Sequence, residues 1–260
     1  MTHRNLMQRA RRPAALVGAL AATAVTAGLI VGATLAEVPD GPPVFSNPTL
    51  FTNEFMPFEV GAVKAYVGKS EGERTAVVDL FLATTRDFAL DGEVVTCRVL
   101  QETEFEGGEL SEISTNYFAC ADDGTVYYFG EVVDIYEDGE VVGADGSWLV
   151  GGGGPGDPDG TLSVDEPALF MPGDPEVGDF FRPENVPGGP METAEIEKED
   201  RRVRVTAGRY EGCIQVRETN VADDESERKW YAPGVGVIKA KGKQEILKLI
   251  ASTLLPTEDE

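Results

Sequence analysis

From residue 75 onward, apolar and polar positions alternate in short runs, and a turn dipeptide closes most of them. Glu71-Gly72, Asp91-Gly92, Gly107-Gly108, Asp123-Gly124 and Asp138-Gly139 recur at intervals of 15 to 20 residues. Pairs of this kind supply the positive φ that tight hairpin turns require. The runs between them, at 75–83, 94–103, 110–119, 125–133 and 140–150, are rich in β-branched and aromatic residues, and each predicts a strand. Strands joined so tightly are antiparallel neighbours, because a parallel pair needs a crossover of roughly a dozen residues or more.

The rhythm breaks at 151–190. Gly151 to Gly154, Pro155, Pro158 and Gly160 suit neither a strand nor a helix interior, so this stretch predicts a long loop of the functional or mobile kind. Strands resume at 203–206, 213–219, 228–231, 236–241 and 246–251. Residues 191–202 form the best helix candidate, with Glu192, Glu195, Glu197, Glu199 and Asp200 early and Arg201 and Arg202 late, the order a helix dipole favours. The same residues also read as a charged edge strand. The expected fold class is mainly β: a curved antiparallel meander sheet, half-barrel or sandwich-like, with a long Gly/Pro loop and at most one or two short helices.

Residues 1–36 read as a targeting segment, either a signal peptide or an N-terminal anchor. Arg4, Arg9, Arg11 and Arg12 form a basic head, the stretch 14–36 is apolar, and Thr34-Leu35-Ala36 offers a small-residue cleavage site. The apolar run is long for a signal peptide and close to the roughly 20 residues that span a bilayer. In either case the basic flank stays inside and the rest is exported to the cell envelope or secreted. A Pro-rich spacer at 37–49, a single β-rich domain at 50–252 and an acidic tail at 253–260 complete the expected organisation. Membrane contact is expected only through the N-terminal segment.

Charge narrows the function. All 46 acidic residues lie beyond residue 36, whereas four of the 22 basic ones precede it, leaving 18 against 46 and a net charge of −28 for the exported part. Such a surface repels nucleic acid and anionic head groups, so nucleic acid is not an expected partner. The acidic balance reads as a solvated surface, or alternatively as one that takes a cation or a basic protein partner. The single histidine is His3, in the leader. Beyond the leader there is no imidazole for a Ser-His-Asp or Cys-His mechanism or for a histidine-ligated zinc site.

Carboxylate, tyrosine, lysine and thiol chemistry remain. Glu104 and Glu106 fall on one face of a strand, as an acid/base pair would, although solvated pairs of this kind are common in so acidic a chain. Asp157, Asp159 and Asp165 give the long loop the local acid density that calcium would want, without the twelve-residue register of a helix–loop–helix calcium site. No other cofactor is indicated. Cys97, Cys120 and Cys213 allow three pairings with one thiol left over, and no Cys-x-x-Cys motif points to redox catalysis. Aromatics gather at Tyr127-Tyr128-Phe129, Trp148, Phe180-Phe181 and Trp230-Tyr231. They read as core and cross-strand packing, or as the lining of an apolar groove inside a curved sheet.

Several strings together resemble an uncharacterised family of exported bacterial β-rich proteins. They are Asn53-Glu54-Phe55-Met56-Pro57-Phe58 with Gly61 and Tyr66, and Val95-Thr96-Cys97-Arg98-Val99. Further along come Asp123-Gly124-Thr125-Val126-Tyr127-Tyr128-Phe129-Gly130-Glu131 and the string from Met171-Pro172-Gly173 to Gly178-Asp179. Gly212-Cys213 and Trp230-Tyr231-Ala232-Pro233-Gly234-Val235-Gly236-Val237 complete the set. The resemblance spans roughly residues 50–250, and its last string is similar to a feature of envelope proteins built on an open half-barrel. It implies no catalytic residues. It implies that Cys97 pairs with Cys213, leaving Cys120 unpaired. The chain departs from the pattern at Lys64, where the family has Trp.

The expected function is a non-catalytic binding or envelope-associated module for a small apolar ligand, held against Tyr128, Trp148 and Tyr231. A cell-surface structural or protein-interaction role using the acidic face is the alternative, and a carboxylate-dependent hydrolase the third.

Overall fold

In the computed structural model, which describes residues 36–38 and 41–257, the turn dipeptides do what their composition requires. Both residues of Glu71-Gly72, Asp91-Gly92, Gly107-Gly108 and Asp138-Gly139 have positive φ, between 52° and 97°. Two consecutive left-handed residues make a turn whose twist matches that of the flanking strands, so each dipeptide closes a hairpin. Asp123-Gly124 differs: only Gly124 is left-handed, and its N–H bonds the Ala121 carbonyl at 2.9 Å.

The strands run in chain order as β1 Ala36–Glu37, β2 Val63–Ser70, β3 Glu73–Leu90, β4 Glu93–Glu106, β5 Glu109–Cys120 and β6 Val126–Glu137. Then follow β7 Glu140–Gly143, β8 Trp148–Val150, β9 Leu162–Val164, β10 Ala168–Met171 and β11 Asp179–Asn185. The last five are β12 Met191–Arg204, β13 Arg209–Asn220, β14 Ser226–Ala232, β15 Gly236–Lys241 and β16 Glu245–Ser252. There is no helix among the described residues. One mostly antiparallel, unclosed sheet contains all of these strands, as expected of a curved meander or half-barrel. It consists of two meanders, β2 to β6 and β11 to β16, joined where β16 pairs antiparallel with β2.

Residues 191–202 are not a helix. They lie in β12, an inner strand between β11 and β13. Alternation decides the matter: Glu192, Ala194 and Ile196 are buried on one face, whereas a helix would scatter them around its axis. The segment 151–190 is likewise no simple loop. It contributes β9, β10 and β11, and β10 pairs with β6 while lying against β11, so it bridges the free sides of the two meanders. Trp148 of β8 reinforces this bridge by donating its indole N–H to Glu184 of β11 at 3.1 Å.

The spacer and tail are partly docked. Phe45 sits edge-on to Tyr127 and Phe129, at 5.6 and 5.7 Å. Leu254 is buried, and the Thr253 N–H bonds the Val63 carbonyl at 3.0 Å. The leader at 1–36 lies almost wholly outside the described residues, as do residues 258–260 of the tail.

Several of the strings singled out in the sequence meet in space. Buried Asn53 donates to the carbonyls of Gly124 (2.9 Å) and Pro172 (2.7 Å) and accepts from the N–H groups of Phe55 and Met56, both at 3.0 Å. The Glu54 carbonyl accepts from the Gly234 N–H at 2.8 Å. A side chain at Gly173 would place its Cβ 2.1 Å from the Asp123 carbonyl oxygen, which accounts for glycine there. This knot is structural: it ties chain segments together through both polar side-chain atoms of one asparagine.

Candidate functional site

Along each long strand, alternate residues turn into the concave interior, and many of these are ionisable. Lys64, Asp79, Glu102 and Ser114 stand directly opposite one another on β2, β3, β4 and β5. All four are buried. Burial is the largest influence on the charges of Lys64 and Asp79. It lowers the Lys64 ammonium to about 8 despite the carboxylates of Asp79 and Glu102 beside it. It raises the Asp79 carboxyl, even though Lys64 and hydrogen bonds with Glu102 and Tyr66 pull the other way. The Tyr66 hydroxyl donates to Asp79 at 3.2 Å and to the Val237 carbonyl at 3.0 Å.

A second group lies across the sheet. Lys229 of β14 is completely buried and ion-paired with Glu218, with Glu227 at 3.4 Å. Burial alone would strip its proton, but Glu218, Glu227, Tyr231 and Glu192 more than reverse that and hold the ammonium charged. The Tyr231 hydroxyl donates to the other Glu218 oxygen at 3.2 Å. Glu184 is pushed well above the ordinary carboxylate range by burial and by Glu131 and Glu192.

This second group opens to solvent where β12, β14 and β16 begin and β13 ends. The opening is a small mouth of about 30 Å³ lined by Glu192, Glu218, Glu225, Glu227 and Glu245, with Asn220, Ser226 and Gly242. Lys243 stands at its rim, largely exposed, with Glu225 at 3.7 Å. The volume leaves room for a group about as small as water. Five carboxylates therefore surround a space that admits one small cationic head, above a floor closed by the Lys229–Glu218 pair.

The sequence-predicted residues are distributed differently. Tyr128 and Trp148 meet edge-on at 4.9 Å, and Phe118 stacks on Tyr128 at 4.6 Å, so these rings pack against one another in the core. Tyr231 stands apart from them at the floor of the acidic mouth. Asp157 is engaged by Arg86, which donates to its two oxygens at 2.8 and 2.7 Å while lying over the rings of Phe88 and Tyr117. The structure does not assemble Asp157, Asp159 and Asp165 into a ligand set, and among the described residues no three His, Cys, Asp or Glu side chains are grouped to hold a metal ion. Glu104 and Glu106 do share a face, Glu104 being buried and Glu106 half-buried.

The Cys97–Cys213 disulfide does not form: Cys97, Cys120 and Cys213 are all free and buried. Topology explains this. Cys97 is on β4 and Cys213 on β13, six strand steps apart, or about 29 Å along the sheet, whereas a disulfide needs Cα atoms within roughly 7 Å. Burial raises the Cys97 thiol well above its ordinary value and lifts Cys213 to about 11, so both stay protonated.

Sequence reasoning missed the acidic mouth. Its carboxylates come from four strands and a turn, and only the pairing of β12 through β16 brings them together. Comparison with known proteins adds no relative: no family model, curated protein or solved structure matches this chain.

Proposed function

We propose that the chain is a non-catalytic binding module exported to the cell envelope, and that the acidic mouth takes the ammonium or guanidinium head of a basic partner. The observation that carries this reading is five carboxylates around an opening of about 30 Å³. A hard metal ion wants six or more oxygens converging on one point, and the described carboxylates are not grouped that way. An organic cation needs only hydrogen-bond acceptors around a water-sized space, and long-range attraction to an acidic chain would speed its approach. Acid/base hydrolysis has less support, because the carboxyl of Glu184, which burial raises most, is 1 % exposed and held by Trp148.

Calorimetric titration of the full chain with spermidine and with an oligolysine peptide tests the reading. Both are expected to bind, with affinity falling steeply between about 50 and 200 mM salt as charges are screened. The double substitution Glu225→Gln/Glu227→Gln should weaken binding at least tenfold, while neutralising acids at Asp91 and Asp138 in distant hairpin turns should not. Equal loss from both sets would reduce the site to general surface charge and overturn the proposal.

A further inference from the structure

One stretch of the outer face, across β14, β15, β16, β2 and β3, carries the opposite charge. Cross-strand register places Arg228, Lys241, Ile246, Lys69 and Arg74 in one row across β14, β15, β16, β2 and β3. The neighbouring row reads Trp230, Lys239, Lys248, Val67, Ala76 and Phe105 and reaches β4. Arg228 is neutralised by Glu197 at 2.8 Å. Among the described residues, Lys69, Arg74, Lys239, Lys241 and Lys248 form no ion pair, in a chain where acids outnumber bases by 46 to 22.

Lys239 and Lys248 stand directly opposite each other, an arrangement that destabilises a sheet. The Lys239 ammonium is lowered by partial burial and by its neighbours Lys248 and Lys241, and it rests 4.1 Å from the centre of the Trp230 ring. Folding alone gives no reason to gather these cations. Between them runs an open groove of about 700 Å³, walled by Val67, Ala76, Phe105 and Ile246 and flanked by Lys69, Arg74 and Lys248. That volume falls within the range of small-molecule sites. Val67 is 42 % exposed, so apolar surface lies open beside the cations.

We propose that this groove binds a single-chain amphiphilic anion, its charged head held by Lys69, Arg74 and Lys248 and its hydrocarbon chain laid over Val67, Ala76, Phe105 and Ile246. Charge selects the head, since the chain as a whole carries 46 acidic residues against 22 basic ones. The apolar wall selects the tail, since free inorganic anions would leave it wet. The groove is on the face opposite the acidic mouth and does not depend on what that mouth binds.

The test titrates the full-length chain with dodecyl phosphate below its micellar concentration. Dodecyltrimethylammonium supplies the same tail with a cationic head, and inorganic phosphate supplies a head with no tail. Dodecyl phosphate is expected to bind at least tenfold more tightly than either, and Lys69→Glu/Lys248→Glu should abolish that preference. Both lysines are exposed at the surface, and an unchanged melting temperature verifies that the variant folds. Equal binding of all three probes, binding unaffected by the double variant, or response only to anionic vesicles and not to the monomeric anion would overturn it.

Discussion

Lys229 shows at the residue scale how this molecule tolerates charge in its interior. It is wholly buried, and Glu218 and Glu227 hold its ammonium while Tyr231 satisfies the far oxygen of Glu218. Removing one partner of a buried pair leaves an uncompensated charge and costs about 3–5 kcal/mol, whereas replacing both is far milder. Lys229→Met should therefore destabilise the protein by about that amount, and Lys229→Met/Glu218→Gln should recover more than half of the loss in urea unfolding; equal destabilisation by both would show that the pair acts independently. Lys64 follows the same logic. With Asp79 and Glu102 directly beyond it on β3 and β4, a cation balances two buried acids. None of this was legible in the sequence. Period-2 alternation splits β4 into Glu102 and Glu104 on one face and Gln101, Thr103 and Phe105 on the other, but both sets are mixed. Only the curvature of the sheet decides which face is inside.

At the scale of elements, local chemistry was legible wherever it acts locally. Asp91-Gly92 and Asp138-Gly139 predicted hairpins from two residues each, and both adopt the required left-handed backbone. Residues 191–202 misled because their charge order mimics a helix, while the pairing with β11 and β13 that fixes them as strand is non-local. The cysteines failed for a related reason, since the family strings carry no distance and Cys97 and Cys213 belong to different meanders. The thiols give a direct check. Aromatic disulfide reagent should titrate no thiol in the native protein and all three after unfolding without reductant; recovery of only one would restore the disulfide.

At the scale of the whole molecule, two meanders joined at β16 and β2 form an open half-barrel that places a buried acidic interior behind one face and a basic groove on the other. The interior sets the pH response. Glu184 and Asp79 have carboxyls raised by burial. Between the ordinary carboxylate range and those raised values, the folded protein holds more protons than the unfolded chain. Their contribution is therefore complete below that range and lost as pH rises through it. Asp122, Asp157 and Glu197, held low chiefly by hydrogen bonds from Ser46, Arg86 and Arg228, act in the opposite sense only in stronger acid. The melting temperature should therefore fall as pH rises above the ordinary carboxylate range, and Glu184→Gln should flatten that fall. The acidic mouth remains the central claim, and backbone amide NMR of the full chain titrated with spermidine tests it most directly. Shifts should concentrate at Glu192, Asn220, Ser226, Glu227, Gly242 and Glu245, the residues that line the mouth. Shifts spread over the acidic surface, or none at these six positions, would contradict it.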